Sequence, residues 1–277
     1  MRALIDGDVI VYWAANHAQT NCYDITNSKG EVLATHDSKR HANSGLEDLM
    51  AFSQEELKIE TGEVILSPWR VCEEFIDKFL IKIMKKAKCD SFEVHISGTT
   101  NFRKDISITK PYKGNRSGAR PFYYQRVREY LLEKYEAILS VNEEADDTLA
   151  IAQMADIDGT VICTVDKDLW MVTGGKYDFK REETSYVTEY DGFRAMQYQM
   201  LVGDRVDNIQ GVPKVGAVTA KKVLDANEDI DRAWVAIAEA YNKAYGDDYK
   251  TVMVEMGRLL WMRREVNEMW DLPQIIK

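Results

Sequence analysis

The sequence predicts an α/β protein with a parallel sheet, followed by a helical region. In the first 200 residues, short apolar runs alternate with helical segments, which is typical of a parallel sheet. One run, TVICTV at 160–165, is β-branched and continuously apolar, as expected of a strand buried on both faces. After about Met200 the pattern is helical to the end of the chain. Ligands of such a sheet bind at the carboxyl ends of its strands.

The elements before residue 90 follow in chain order. A strand is expected from Arg2 to Asp6 and a helix from Val9 to His17. Residues 20–66 are polar and are interpreted as a peripheral insertion, with a hairpin around NSKG and a surface helix over residues 46–59. Ser67-Pro68, an N-cap residue followed by proline, predicts a helix that reaches about Lys88.

The second half of the predicted sheet begins at a strand over residues 92–96. Residues 97–120 are glycine-rich, basic and irregular, and Pro121 begins a helix that reaches about Leu139. Another helix begins near Glu144, before the apolar strand at 160–165. No repeats or low-complexity segments are present.

Length and composition set limits on the protein class. A chain of 277 residues can bury one substantial core and a smaller lobe. No window is apolar enough for a membrane span, and two aspartates interrupt the N-terminal apolar stretch, so neither a membrane nor an export signal is expected. The four cysteines are far apart and include no CxxC pair. A cytoplasmic protein is therefore expected.

The net charge of -10 argues against a polyanionic partner, but the distribution of basic residues along the chain favours one. Eight basic residues and a single acid, Asp105, lie between Asn101 and Arg128. A solvated, charged helix face is the alternative interpretation of this segment.

Four groups of acids lie where strands end or helices begin. They are Asp6 with Asp8; Glu144, Asp146 and Asp147 in NEEADD; Asp166 and Asp168 in TVDKDL; and Asp204 and Asp207 in VGDRVDN. Each group alone could cap a helix or face solvent. Together they predict a site for hard cations such as magnesium or manganese. Two such ions about 3.5–4 Å apart are suited to phosphodiester hydrolysis.

With PYKGNR at 111–116 and GDRVDNIQGVPKVGAVTAKKVL at 203–224, the chain resembles the 5′-nuclease family. This family comprises phage 5′→3′ exonucleases, flap endonucleases and the 5′-nuclease domain of bacterial DNA polymerase I. The motifs IDGD, NFR, YKGNR, EADD, DKDL and GDxxDNIxGVPxVG occur in order over residues 1–17 and 92–225. The resemblance implies a PIN-like (Rossmann-like) nuclease domain over 1–200 and a helical DNA-binding region over 201–277.

The resemblance also implies roles for the acidic and gateway residues. Asp6, Glu144, Asp146 and Asp147 match the family's first metal site, and Asp166, Asp168, Asp204 and Asp207 match its second, each binding Mg²⁺ or Mn²⁺. Lys113 and Arg116, with Tyr112, match the gateway over the single-stranded 5′ end. Lys113 would stabilise charge at the scissile phosphate, whereas Tyr112 would either stack on a base or simply pack. Arg103, in the NFR motif, is expected to contact nucleic acid.

Residues 203–225 match the family's helix-hairpin-helix element. Gly211 and Gly216 would let the backbone approach a phosphate, and Lys214, Lys221 and Lys222 would attract duplex DNA. The resemblance implies a potassium ion at this hairpin. The partner is expected to be DNA with a free 5′ end, a nick or a 5′ flap, or an RNA–DNA primer junction, bound by a monomer.

One position departs from the family pattern. Relatives carry an aspartate before the FR segment, where this chain has Ser97 and Gly98. Water, Asp8 or a substrate oxygen could take that position, and we favour water with substrate oxygen because magnesium retains waters.

The function predicted is a structure-specific 5′→3′ exonuclease or flap endonuclease in phage-type replication, recombination or genome degradation. Three alternatives stay open. A haloacid-dehalogenase-type phosphatase is suggested by IDGDVI, a PIN-type ribonuclease by the carboxylates, and a non-catalytic flap-binding protein by the missing aspartate.

Overall fold

The computed structural model describes residues 1–53, 56–116 and 118–277, which form two compact units. One unit comprises residues 1–9, 80–119 and 130–277, and the other comprises residues 10–79 and 120–129. Residues 201–277 therefore belong to the same compact unit as the first strand of the chain. Among the described residues, no helix is long and apolar enough to cross a membrane.

The first unit contains a six-stranded sheet in the order β6-β5-β1-β7-β8-β9. The strands are β1 (Arg2–Asp6), β5 (Ser91–Ile96), β6 (Ile138–Leu139), β7 (Thr160–Cys163), β8 (Gly174–Asp178) and β9 (Glu183–Val187). All neighbours pair in parallel except β8 and β9, which form an antiparallel hairpin. The parallel sheet predicted from the sequence is confirmed. Strand β1 lies at its centre, so the carboxyl end of β1 lies between the ends of β5 and β7.

The helices of this unit are mainly C-terminal. They are α4 (Phe102–Ile106), α6 (Ala145–Ala155), α7 (Glu189–Val202), α8 (Ala217–Asp225), α9 (Ile230–Tyr245) and α10 (Tyr249–Leu260), with a short hairpin of β10 (Gly203–Asp204) and β11 (Ile209–Gln210). Their apolar faces share one core with β1 and β7, including Leu4, Ile162, Met200 and Trp234. The predicted C-terminal helices are confirmed as α8, α9 and α10. The helical pattern does not reach the end of the chain, because α10 ends at Leu260 and only a short 3-10 turn at Gln274–Ile276 follows.

The second unit contains a three-stranded antiparallel sheet in the order β3-β2-β4. Its strands are β2 (Gln19–Thr26), β3 (Val32–His36) and β4 (Lys58–Leu66), and helix α2 (Lys39–Met50) packs on them. The predicted hairpin around NSKG is confirmed. The helix predicted over 46–59 is wrong, because Ser38 caps a helix that begins earlier and residues 58–66 pair with β2.

Three helices each contain a position at which the chain passes from one unit to the other. They are α1 (Gly7–His17), α3 (Arg70–Lys86) and α5 (Tyr124–Tyr135). Helix α5 is shorter than predicted, since Glu136 adopts a left-handed φ of 50° and residues 138–139 join the sheet as β6.

Candidate active site

The predicted acids converge at the carboxyl ends of the central strands. Asp6 is the last residue of β1, and Asp166 lies just after β7. Glu144 is the N-cap residue of α6, so Asp146 lies in the first turn of that helix. The charge of Asp146 interacts with those of Asp6, Asp166 and Glu144, which brings three of the predicted groups together.

Asp6 and Asp146 carry charge that no cation of the described chain balances fully. The Asp6 carboxylate accepts hydrogen bonds from the Thr164 hydroxyl at 2.7 Å and from the Val9 N–H at 3.2 Å. Burial and then the charge of Asp8 raise the pKa of Asp6 to about 7. Burial, followed by repulsion from Asp6, raises the pKa of Asp146 well above its ordinary value.

Lys113 lies between two acids, Glu144 at the start of α6 and Asp207. Its ammonium group donates a hydrogen bond to Glu144 and lies 3.6 Å from Asp207. Burial opposes ionisation of Glu144, but Lys113 and Arg103 outweigh it and hold the pKa of Glu144 below its ordinary value. Lys113 has a left-handed φ of 55°, and its N–H donates to the Asp207 carbonyl. Strained backbone of this kind is concentrated at functional sites.

A second cation, Lys167, lies among the remaining acids. Its ammonium group lies 2.6 Å from Asp204 and 3.4 Å from Asp168. Burial opposes ionisation of Asp204, but Lys167 holds the pKa of Asp204 below its ordinary value. Burial and then Asp166 raise the pKa of Asp168 to about 6, although the Gln199 amide donates to its carboxylate.

Arg116 and Tyr112 both contact Asp207. A guanidinium nitrogen of Arg116 lies 2.6 Å from the Asp207 carboxylate. The Tyr112 hydroxyl lies 2.6 Å from Glu144 and 2.8 Å from Asp207, so its single hydrogen is donated to one carboxylate at a time. Tyr112 is 6% exposed and its ring belongs to the core. Of the two roles predicted for Tyr112, this burial favours packing over stacking on a base.

Burial bears on two further site predictions. Arg103 is fully buried and donates two hydrogen bonds to Asp147, at 2.5 and 2.8 Å, so it cannot contact nucleic acid. Asp147 also accepts from the N–H groups of Arg263 and Glu144. Both oxygens of Asp147 are engaged by protein donors and its side chain has no exposed surface, which favours a structural role over the predicted role as a metal ligand.

The hairpin residues divide into buried and exposed sets. Gly211 is buried, and a Cβ there would lie 2.3 Å from the backbone of Val202, so Gly211 serves packing and the predicted phosphate approach at this residue is wrong. Gly216 is exposed, has open space around it and is the N-cap of α8. The three predicted lysines, Lys214, Lys221 and Lys222, are exposed.

Ser97 and Gly98 follow β5 at the position of the family's missing aspartate. The Asp8 carboxylate accepts a hydrogen bond from the Ser97 N–H at 3.1 Å, which places this acid beside the end of β5. A Cβ at Gly98 would lie 2.2 Å from the Ser140 carbonyl oxygen, so an aspartate at 98 requires a backbone shift. Asp8 thus places a carboxylate next to Ser97, where the resemblance leads us to expect an aspartate.

The carboxylates have the chemistry of a divalent metal site. In the part of the chain that the structure describes, no three acidic, histidine or cysteine side chains form a preformed metal site. All the donors are nevertheless hard oxygens, which magnesium and manganese prefer. Burial and then repulsion from neighbouring carboxylates raise the pKa values of Asp6, Asp146 and Asp168, and a divalent cation bound there would favour their charged forms. The residues present therefore fit such an ion.

Three further residues contact the acids and were not predicted as site residues: Thr164, Lys167 and Gln199. Lys167 stands between two aspartates in DKDL, a signal that was available. Thr164 and Gln199 hold Asp6 and Asp168, and no local pattern marks either one.

Comparison with known proteins supports the resemblance. No sequence-family model matches the chain. DNA polymerase I of Bacillus subtilis (strain 168) is 30% identical over 170 residues, 53% of this chain and 19% of that protein. The thermostable DNA polymerase I of Thermus aquaticus is 34% identical over 125 residues, 39% of this chain and 15% of that protein. The chain thus spans less than a fifth of the length of these curated relatives.

A solved structure is similar in fold. It is the crystal structure of the bacteriophage T5 flap endonuclease in a pseudo-enzyme–product complex with DNA and metal ions. The TM-score is 0.50 at 12% identity, over 94% of this chain and 98% of that one. In sequence, part of the chain is therefore similar to DNA polymerase I, and in fold the chain is similar to a bacteriophage flap endonuclease.

Proposed function

We propose that the chain is a metal-dependent nuclease that cleaves DNA from a free 5′ end or at a 5′ flap. The observation that carries this proposal is the cluster of acids at the ends of β1 and β7, into which Lys113 and Arg116 extend. The similarity to DNA polymerase I supports it, as does the likeness in fold to a flap endonuclease that binds DNA and metal ions.

The acids divide into two sets that would each hold a magnesium or manganese ion. Asp6, Glu144 and Asp146 form the first set, beside Asp8. Asp166, Asp168 and Asp204 would form the second. The resemblance assigns Asp207 to this second set as well, although its carboxylate shares Tyr112 and Lys113 with Glu144. Ions bound there would supply charge that stabilises the reacting phosphate and lowers the pKa of the attacking water.

Lys113 and Arg116 would bind the scissile phosphate. Lys113 is paired with Glu144, and Arg116 is paired with Asp207. When substrate and metal ions bind, the phosphate would replace the carboxylates as the partner of these two cations, and the metal ions would replace the cations as partners of the carboxylates. Charge fixed beside the reacting phosphate stabilises the transition state more than the ground state. The positive-φ backbone of Lys113 and its hydrogen bond to Asp207 fix where this charge lies.

The exposed end of α8 would bind duplex DNA. The N–H groups near Gly216 are oriented as in other helix N-termini that bind phosphate, and Lys214, Lys221 and Lys222 add sequence-independent attraction. A potassium ion at the 203–216 hairpin, action on primer junctions, a monomeric state and a role in phage-type replication, recombination or genome degradation belong to the same proposal.

The test is digestion of 5′-labelled flap, nicked and blunt duplexes with magnesium and with chelator. We expect cleavage only with magnesium, and we expect Asp166→Asn to reduce the single-turnover rate by orders of magnitude while DNA binding is retained. Cleavage that persists in chelator would contradict the metal-dependent mechanism.

A non-catalytic flap-binding protein is the second candidate. The lack of a carboxylate at Ser97 and Gly98 favours it. On this alternative, the same substrates would be bound in magnesium and never cleaved, at any enzyme concentration.

A further inference from the structure

A patch of arginines and aromatic rings lies in the second unit. We define the arginine–aromatic patch as Tyr12, Trp69, Arg120, Phe122, Tyr124 and Arg126. Most of it comes from one segment, RPFYYQRVR at 120–128, at the start of α5. Neither the acidic cluster nor the hairpin of the proposed function includes these residues.

Guanidinium groups and rings stack within the patch. Arg120 lies 4.6 Å above the Tyr124 ring, which makes an edge contact with Tyr12 at a centroid distance of 5.0 Å. Arg126 lies 4.3 Å above the Trp69 ring. Such stacking holds each guanidinium plane in place while its N–H groups stay available at the edge.

Two arginines of the patch, Arg120 and Arg126, are exposed, in a chain with a net charge of -10. The sequence between them contains no acid. Within residues 1–53, 56–116 and 118–277, no carboxylate forms an ion pair with Arg120 or Arg126. Arg70, the residue after Trp69, differs from these two arginines because its charge is balanced by an ion pair with Glu74 at 2.7 Å.

The rings of the patch are accessible to a ligand. Phe122 is 67% exposed and Tyr12 is 44% exposed. Phe122 makes a perpendicular contact with Tyr123 at 5.1 Å, and Tyr123 packs on Trp69 at 5.6 Å. The Phe122 ring is therefore supported along one edge and remains largely open to solvent.

We propose that the arginine–aromatic patch binds an unpaired DNA strand, an inference that rests on the proposed function. Exposed rings and stacked guanidinium planes accept the faces of unstacked bases, and the arginine N–H groups bind phosphates. A duplex cannot use these rings, because its base faces are covered by neighbouring bases. The chemistry therefore selects a single-stranded segment, such as the 5′ tail of a flap. Arg120 also follows Arg116 by only four residues along the chain.

The test measures binding in chelator, so that cleavage plays no part. The probes are a blunt duplex and the same duplex with a 5′ tail of about 12 thymidines, a length typical of single-strand sites. The variants are Phe122→Ala and Arg126→Ala, with Arg70→Ala as the matched control. Phe122 is largely exposed, so its removal leaves the core unchanged.

We expect the tail to tighten binding by wild type. Phe122→Ala and Arg126→Ala should each weaken binding of the tailed duplex by about fivefold or more and leave binding of the blunt duplex unchanged. Arg70→Ala should bind both probes as the wild type does. The proposal is overturned if the tail adds no affinity, if the variants weaken both probes equally, or if Arg70→Ala has the same effect. Cleavage of the blunt duplex in magnesium, measured separately, tests the proposed function itself.

Discussion

At the scale of single residues, the buried Arg103–Asp147 pair ties distant parts of the first unit together. Arg103 on α4 donates to Asp147 on α6 and to the carbonyl groups of Leu259 and Trp261. Asp147 also closes the capping box at Glu144, so it fixes the backbone of a candidate metal ligand. Its contribution to the site is therefore mechanical.

This role gives a prediction for Asp147→Asn. Because one partner of a buried ion pair is lost, the free energy of unfolding should fall by about 3–5 kcal/mol, as measured in urea. The magnesium concentration for half-maximal cleavage should stay near the wild-type value below the unfolding transition. Asp146→Asn should show the reverse pattern, and a large magnesium shift in Asp147→Asn without loss of stability would contradict our assignment.

Asp8 gives a second prediction. Its carboxylate lies at the Ser97 N–H and raises the pKa of Asp6, so it contributes negative charge where relatives have an aspartate. We expect Asp8→Asn to raise the magnesium concentration for half-maximal cleavage by about tenfold. A magnesium titration of single-turnover cleavage measures this, and an unchanged titration would favour water at that position.

Lys176 on β8 is a buried cation without a strong acceptor. It is 1% exposed, and the nearest acceptor found for its ammonium group is the Gly174 carbonyl at 3.5 Å. Burial and then Arg264 lower the pKa of Lys176 from 10.5 to about 7. Between these pH values the unfolded chain holds a proton that the folded chain lacks, so stability should rise with pH across this window.

We therefore expect Lys176→Met to stabilise the protein at pH 7.5 and to remove this rise, which amounts to about 1.4 kcal/mol per pH unit. Urea unfolding from pH 7 to 10 measures it, with the exposed Lys180→Met as control. If both variants keep the wild-type slope, Lys176 is protonated in the folded protein.

At the scale of elements, α10 fixes the segment that precedes Lys113. Glu255 on this helix is 9% exposed and accepts hydrogen bonds from the N–H groups of Ile108 and Thr109, both at 2.7 Å, and from the Thr109 hydroxyl at 2.6 Å. A carboxylate that accepts three hydrogen bonds from one loop restrains it strongly. A C-terminal helix thereby positions a residue more than 100 positions earlier in the chain.

Glu255→Ala should thus lower the single-turnover rate about tenfold with little change in DNA affinity, because misplacing Lys113 affects the transition state most. The double variant with Lys113→Ala should be no slower than Lys113→Ala alone. Glu239→Ala, at an exposed position of α9, is the control. Fully additive effects would mean that Glu255 does not act through Lys113.

Some features of the secondary structure could be predicted from neighbouring residues in the sequence, and others could not. Asp6, Glu144 and Asp166 could be placed from the sequence, because a buried strand or a helix start precedes or contains each of them. The antiparallel β8–β9 hairpin and helix α7 could not be recognised from periodicity. The burial of Arg103 and Tyr112 could not be predicted, because it depends on α10 and on the core, which no local pattern encodes.

At the scale of the whole molecule, concentrated negative charge should couple stability to divalent metal. Ions that bind the folded cluster but not the unfolded chain stabilise the fold by mass action. We expect magnesium at about 100 times its Kd to add about 2.7 kcal/mol of stability, seen as a higher Tm than at equal ionic strength in KCl. Asp6→Asn with Asp166→Asn should abolish this difference, and a Tm that responds only to ionic strength would show that no specific site exists.

The central position of β1 also has a consequence for synthesis on the ribosome. Arg2 pairs with Ser91 on one side and Thr160 on the other, so β1 is synthesised before its two neighbours, which follow 89 and 158 residues later. At elongation rates of about 5–20 residues per second, roughly 8–30 s pass before both edges of this apolar strand can pair. During that interval the nascent chain exposes an unpaired strand, and we expect the yield of folded protein to depend on temperature and on chaperone supply.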